Sequence, residues 1–290
     1  RLQVVVAADD DPGLAEAARA ACPEAIVDFR PGRGGKAKAL DRALAHATGE
    51  IVVLTDANNV LAPQSVRAAV RHFADPAVWA VAGRRGEAGS AYDRYEDAIR
   101  RLETRSGSVA AMSGEFMAVR RERVPRFPEG IVNDDFWLLC QVVRAGGRVV
   151  YEPEAASTEP ALPAGAEVAR RSRMGAGRTM LAGEALRAPA ELRWRLLSHK
   201  LGRLALPFLL AVALLSSLSL ARRPGYRAAA AAQAGWYGAG LLAVLGVAPR
   251  GRAGLPLRAA GQFLLGNLAV AAGVVRGLRG RQPVRWETVR

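Results

Sequence analysis

Ile51-Val52-Val53-Leu54-Thr55-Asp56-Ala57-Asn58 is an apolar run that ends on a carboxylate and an amide. A strand buried on both faces reads as a continuous apolar run of this kind. Open α/β sheets build their ligand sites at the carboxyl ends of such strands. The stretch therefore predicts a buried parallel strand that delivers Asp56 and Asn58 to a ligand. On either side, strand signals at 3–8, 25–29, 78–82, 116–119 and 148–151 alternate with helical ones. The clearest helix is 36–47, where Leu40, Ala43, Leu44 and Ala47 share one face. Further helices are expected near 65–74, after Pro63, and from about Asp134. Alternation of this type predicts a doubly wound, mostly parallel sheet.

Composition divides the chain in two. The net charge is +14, but the first 160 residues carry 21 Lys and Arg against 23 Asp and Glu. The remaining 130 carry 20 against 4, so the whole positive excess lies there. That half also holds three strongly apolar segments, near 201–221, 228–248 and 256–276, each close to the ~20 residues that span a bilayer. Arginines between and after them, with Trp286 near the end, read as anchors at a membrane surface. A nucleic-acid binder would carry its basic patch on a folded domain, with aromatic residues for stacking. No nucleic-acid partner is expected. Residues 163–200 mix Arg with Leu, Met and Trp in amphipathic stretches suited to an interface. The expected organisation is an α/β domain over 1–160, interfacial helices over 161–200, and two or three membrane segments over 201–290. Because the chain opens on Arg1 and enters a strand almost at once, a missing natural N-terminus is also expected. Cys22 and Cys140 stand alone, as do His46, His72 and His199, which argues against a disulfide framework and a zinc site.

Several constellations can carry chemistry. Asp9-Asp10-Asp11 follows the first strand and can hold a base or ribose, or form a turn with Pro12-Gly13. The loop Pro31-Gly32-Arg33-Gly34-Gly35-Lys36 runs into a helix start, where backbone amides and a lysine suit phosphate. It lacks the spacing and hydroxyl of a Walker loop. Asp56 and Asn58 can reach one cation, and oxygen ligands of this type suit Mg²⁺ or Mn²⁺. Asn133-Asp134-Asp135 can cap the helix that follows, or supply a general base. Arg170-Arg171-Ser172-Arg173-Met174 is a charge run that can also bind a diphosphate.

In their order these motifs resemble glycosyltransferase family 2, the inverting GT-A transferases that include membrane polysaccharide synthases and ceramide glucosyltransferases. The resemblance is carried by 4–11, 34–41 and 48–58, by Ser113-Gly114-Glu115-Phe116-Met117-Ala118-Val119-Arg120-Arg121, by 133–135, and by Gly146 to Ala155. It spans about 3–200. It implies a GT-A catalytic domain followed by interfacial and transmembrane helices, in a chain that lacks the family's first strand.

The resemblance also assigns roles. Asp9 matches the aspartate that contacts the base, and Lys36 the basic residue near the nucleotide. Asp56 matches the first aspartate of the DxD motif, which contacts the donor diphosphate and its metal. Asn58 stands where the second, metal-binding Asp usually sits. Asp135 matches the catalytic base, with Asp134 beside it. Gly114 falls in the loop that borders the acceptor. Arg173 matches the arginine of a Q-x-x-R-W motif in which Arg170 replaces Gln and Met174 replaces Trp. The implied activity is hexosyl transfer from a nucleotide sugar, a UDP-sugar by expectation, to a glycan or lipid, with Mg²⁺ or Mn²⁺ as cofactor. The implied setting is exopolysaccharide or cell-envelope synthesis at the inner (plasma) membrane, multi-pass, with a cytoplasmic catalytic domain and membrane lipids as partners. The alternative is a catalytically weak or dead nucleotide-sugar-binding subunit of a membrane complex.

Overall fold

The structure, a computed structural model, describes residues 2–32, 34–86, 91–160 and 164–283. Trp286 and Arg33 lie outside the described residues. The described chain forms two compact units, one from Arg1–Ala161 with Leu181–Leu197, the other from Leu162–Met180 with Ser198–Gln282.

The first unit begins with β1 (Val5–Asp9), α1 (Pro12–Ala21), β2 (Ile26–Arg30) and α2 (Lys36–His46). Then come β3 (Ile51–Leu54), β4 (Val60–Leu61) and α3 (Ser65–Val70), which tightens into a 3₁₀ turn at Arg71–Ala74. β5 (Val78–Arg85), α4 (Ala91–Arg105), β6 (Met117–Arg120), α5 (Asp134–Arg144) and β7 (Arg148–Thr158) follow. In the second unit α6 (Ala164–Met180) comes first in sequence. The chain then returns to the first unit with α7 (Ala182–Leu186) and α8 (Ala190–Arg195). A π-helical stretch, Leu196–Leu201, leads into α9 (Gly202–Ser219), α10 (Pro224–Val244) and α11 (Leu255–Leu278).

The six expected strands are all present, with β4 as an additional two-residue strand. Their directions differ from the expectation. β1 and β2 pair in parallel as a two-stranded sheet, and five strands form a second sheet in the order β3-β6-β5-β7-β4. In that sheet β5 and β7 run parallel, whereas β6 is antiparallel to both β3 and β5, and β4 is antiparallel to β7. The sheet is mixed rather than mostly parallel. Apolar runs reveal burial on both faces but not strand direction, and β6, buried along Met117, Ala118 and Val119, satisfies the pattern in either sense.

Phe73, Val78, Val81, Phe116, Ala118, Val150 and Ala155 pack together in the core of this sheet, and Ile51, Val53 and Leu61 lie against them. Burial of a side chain such as Phe116 contributes about 1.5–3 kcal/mol. At the centre Gly83 lets β5 approach its neighbours. A Cβ there would lie 2.4 Å from the Ala155 carbonyl oxygen and 2.8 Å from Phe116 Cβ. Opposite Gly83 on β7, the buried Glu152 carboxylate receives Arg71 Nη2 at 2.7 Å and contacts His72 Nε2 at 2.6 Å. Burial pushes its pKa up, but the Glu154 amide, His72 and Arg71 outweigh that and hold it below its ordinary value.

Within the second unit, α11 packs on α6 through small residues. Gly273 and Gly277 lie so close to Ser172 and Ala176 that a Cβ at either position would meet backbone carbonyl oxygen. By length and composition, two helical stretches could cross a membrane: Ala190–Ser219, whose most apolar 18 residues have a mean hydropathy of 1.9, and Arg252–Leu278, whose most apolar 18 residues have one of 1.3. Large apolar side chains on α9, among them Leu209, Val212 and Leu215, are exposed. The third segment expected to span forms α10, which does not reach the same hydropathy. Its Ala- and Gly-rich sequence, with Arg227 and Gln233, carries fewer long apolar side chains than α9.

Gly83→Ala is expected to destabilise the protein by about 1–3 kcal/mol, because rigid backbone rather than a flexible side chain must yield. Chemical denaturation of the two proteins checks it; an unchanged midpoint would contradict the packing described.

Candidate active site

The site lies where β3 ends and α2 and α5 begin. Asn59 N donates to the Asp56 carbonyl at 3.1 Å, closing a tight turn over 56–59 directly after the strand. Two side chains of this loop reach the same acceptor: Thr55 Oγ1 donates to the Glu115 carbonyl at 2.7 Å and Asn59 Nδ2 at 3.3 Å. The loop is thus fixed on the segment that precedes β6.

Lys36, the first residue of α2, joins the acidic motifs. Its Nζ lies 2.7 Å from Asp56 Oδ1 and 3.2 Å from Asp134 Oδ2. The two carboxylates, 78 positions apart in sequence, therefore share one ammonium. Burial disfavours the charged lysine. The fields of Asp134 and Asp56, the hydrogen bond to Asp56 and the field of Asp135 outweigh it, so the Lys36 pKa is raised well above its ordinary 10.5. Gly114 borders the cluster: a Cβ at that position would lie 2.9 Å from Lys36 Nζ and 3.8 Å from Asp56 Oδ2.

The two adjacent acids behave differently. Asp134, buried at the first position of α5, pairs with Lys36, while Asp135 Oδ1 accepts from Phe136 N at 2.7 Å. Both carboxylates also sit at a helix N-terminus, where negative charge is favoured.

The first acidic run divides its work. Asp11 caps α1 by accepting from Leu14 N at 2.9 Å, and Asp10, at φ +55°, accepts from Gly32 N at 3.3 Å. Asp9 accepts from Gly34 N at 3.0 Å and from Arg42 Nη2 at 2.5 Å. Arg42 Nε also donates to Asp28 at 3.1 Å. Asp9 therefore holds the glycine-rich loop in place just ahead of Lys36. Arg42 was not anticipated, since its partners lie on β1 and β2, 33 and 14 residues away, with no local signal.

Asn58 Nδ2 donates to Glu159 Oε1 at 2.9 Å. Arg173 and Met174 lie on α6, in the second unit. There Arg170 and Arg171 both pair with Glu167, at 2.8 Å and 2.7 Å. Cys140 is buried on α5, and burial, with help from Glu184, pushes its thiol up to about 12, so it supplies no thiolate nucleophile near neutral pH. Among the described residues no three His, Cys, Asp or Glu side chains gather as a metal cluster. Hard oxygen donors at Asp56 and Asn58 suit a divalent cation.

A family model described as "Glycosyltransferase like family 2" matches residues 1–178, more than half of the chain. The chain belongs to this family. Among solved structures it is similar to the mannosyltransferase PcManGT from Pyrobaculum calidifontis, in complex with GDP-Man and Mn²⁺. The two are 27% identical with a TM-score of 0.71, over 97% of this chain and 79% of that one. Fainter likenesses are to GalNAc-T7 with UDP, GalNAc and Mn²⁺ and to glucosyl-3-phosphoglycerate synthase from Mycobacterium tuberculosis. GalNAc-T7 is 15% identical, TM-score 0.45, over 68% of this chain and 48% of that one. The synthase is 20% identical, TM-score 0.42, over 64% and 68%. At those scores they carry no argument. Among curated proteins none matches. The fold is the GT-A glycosyltransferase fold, and the chain is a nucleotide-sugar-dependent glycosyltransferase.

Lys36→Ala leaves Asp56 and Asp134 without their shared ammonium. A loss of about 1–2 kcal/mol is expected, between the values for exposed and buried pairs. A pKa raised above 10.5 means that the pairing is fully present below pH 10.5 and is lost as the pH rises further. The gap in melting temperature between parent and variant should therefore stay constant across roughly pH 7–9. A gap that closes within that range would contradict the pairing.

Proposed function

We propose that the protein is a membrane-bound inverting hexosyltransferase that moves a sugar from a nucleoside diphosphate to a hydroxyl of a lipid or glycan acceptor. The observation that carries this reading is the Lys36 ammonium shared by Asp56 and Asp134. It draws the turn at the end of β3, the phosphate-suited start of α2 and the acidic start of α5 into one cluster. In this reading Lys36 and the loop before it receive the donor diphosphate, and Asp9 sets that loop and borders the base. Asp56 and Asn58 are the residues that would hold Mg²⁺ or Mn²⁺ at the donor site. Such a cation would neutralise charge that develops on the departing nucleoside diphosphate. Gly114, beside Lys36 and Asp56, borders the acceptor.

Asp135, which matches the family's catalytic base, acts as the general base. It takes the proton of the acceptor hydroxyl as that oxygen attacks the anomeric carbon. The carbon–oxygen bond to the nucleoside diphosphate breaks on the opposite face, and configuration inverts. Donor and acceptor held in line supply much of the rate. The family resemblance favours a UDP-sugar. PcManGT, whose likeness extends over 97% of this chain, holds GDP-Man and Mn²⁺, so GDP-mannose stands beside UDP-hexoses as a donor. The two apolar helical stretches support a membrane setting and an acceptor met at its surface. Asn58 in the place of a second acid favours one rival reading, a nucleotide-sugar-binding subunit without turnover.

The test is binding and nucleoside diphosphate release by detergent-solubilised protein, across UDP- and GDP-sugars with Mn²⁺, Mg²⁺ or EDTA. Metal-dependent release from one donor supports the proposal, whereas tight binding without release with every acceptor tried would favour the binding subunit. Asp135→Asn is expected to lower kcat about 10²–10⁴-fold with donor affinity unchanged; full turnover in a folded variant would remove the base assignment. The protein is also expected in the membrane fraction and to require detergent for extraction. Recovery in the soluble fraction without detergent would contradict the membrane setting.

A further inference from the structure

Position 58 carries an amide, and its surroundings show what that amide is matched to. Asn58 Nδ2 lies 2.9 Å from Glu159 Oε1. A carboxylate offers no donor, so the NH₂ of Asn58 must face it, and the amide oxygen is presented away from Glu159. Glu159 is itself held, since Arg85 Nη2 binds its Oε2 at 2.9 Å. The same guanidinium reaches Glu115 Oε1 through Nε at 2.8 Å. Glu115 is buried, its other carboxylate oxygen accepts from Ser113 Oγ, and its carbonyl takes Thr55 and Asn59. Residues 55, 58 and 59, on both sides of Asp56, are thereby tied to one frame, Glu115–Arg85–Glu159.

We infer that Glu159 is the positioning residue of the donor site. Clamped by Arg85, it fixes the Asn58 amide so that the oxygen of Asn58 is the atom offered to a divalent cation on the donor diphosphate. The inference rests on the proposed donor site and adds its orienting partner. It also accounts for the amide. An aspartate at 58 would set a second carboxylate within hydrogen-bond distance of Glu159, and like charges so placed repel. Asn58 and Glu159 are a matched pair: if the acid moves to 58, the amide must move to 159.

The test uses near-isosteric changes and reads metal binding without turnover. Mn²⁺ affinity is measured from the electron paramagnetic resonance signal of free Mn²⁺, with GDP and separately with UDP. The samples are the full-length parent, Asn58→Asp, Glu159→Gln and the double variant, and circular dichroism melts confirm that each is folded. Asn58→Asp alone is expected to weaken Mn²⁺ binding about tenfold, the lower range for loss of an outer-shell partner. Glu159→Gln alone should cost less, because its amide oxygen still accepts from Asn58. The double variant restores the hydrogen bond in the reverse sense and should return to within about twofold of the parent. Asn58→Asp binding Mn²⁺ as tightly as the parent, or effects that simply add in the double variant, would overturn the pairing and leave the donor site intact. Failure of the parent to bind Mn²⁺ with either nucleotide would overturn the donor site, and this inference with it.

Discussion

One ammonium between two carboxylates governs the arrangement of the site. Asp56 and Asp134 leave different elements of the fold, and two like charges brought together without a partner repel. Lys36 resolves that conflict as the first residue of α2, a position set by the loop that Asp9 and Arg42 hold. The constraint thus passes from β1 through the glycine-rich loop to the lysine, and from the lysine to β3 and α5. A transferase needs such a junction, because the leaving diphosphate and the attacking hydroxyl must meet within a few ångströms.

A second layer supports the first. Arg85 joins Glu115 to Glu159, and these residues together fix the turn that follows β3. A turn held only by its own backbone would let Asp56 wander. Here both of its flanks are tied to a buried acid and a strand end. A charged frame stands beside Asn58, and the side-chain amide there donates to its Glu159 carboxylate.

Much of this was legible in the sequence, for physical reasons. Ile51 to Leu54 announce a strand, and open α/β sheets place ligand sites at the carboxyl ends of strands, so Asp56 could be read as a candidate from eight residues. Lys36 at a helix start and the acids before Phe136 and Trp137 were legible in the same way, because helix termini have local signatures. Strand direction was not, since β6 satisfies its apolar pattern whether parallel or antiparallel. Nor were Arg42 and Glu159, whose partners lie 33 and 101 residues away, beyond any periodicity. The division of labour among Asp9, Asp10 and Asp11 also needed coordinates, because three identical side chains carry no sequence signal of which caps a helix and which holds a loop. In the second half, the apolar segments read near 201–221, 228–248 and 256–276 fall on α9, α10 and α11.

The central claim is that the Lys36–Asp56–Asp134 cluster receives the donor diphosphate. An experimental structure of the detergent-solubilised protein with Mn²⁺ and GDP or UDP tests it most directly. The account predicts Mn²⁺ on the Asp56 carboxylate and the Asn58 oxygen, with the diphosphate beside Lys36 and Asp135 open to an acceptor. A nucleotide bound elsewhere, with Lys36 still bridging both carboxylates, would contradict it.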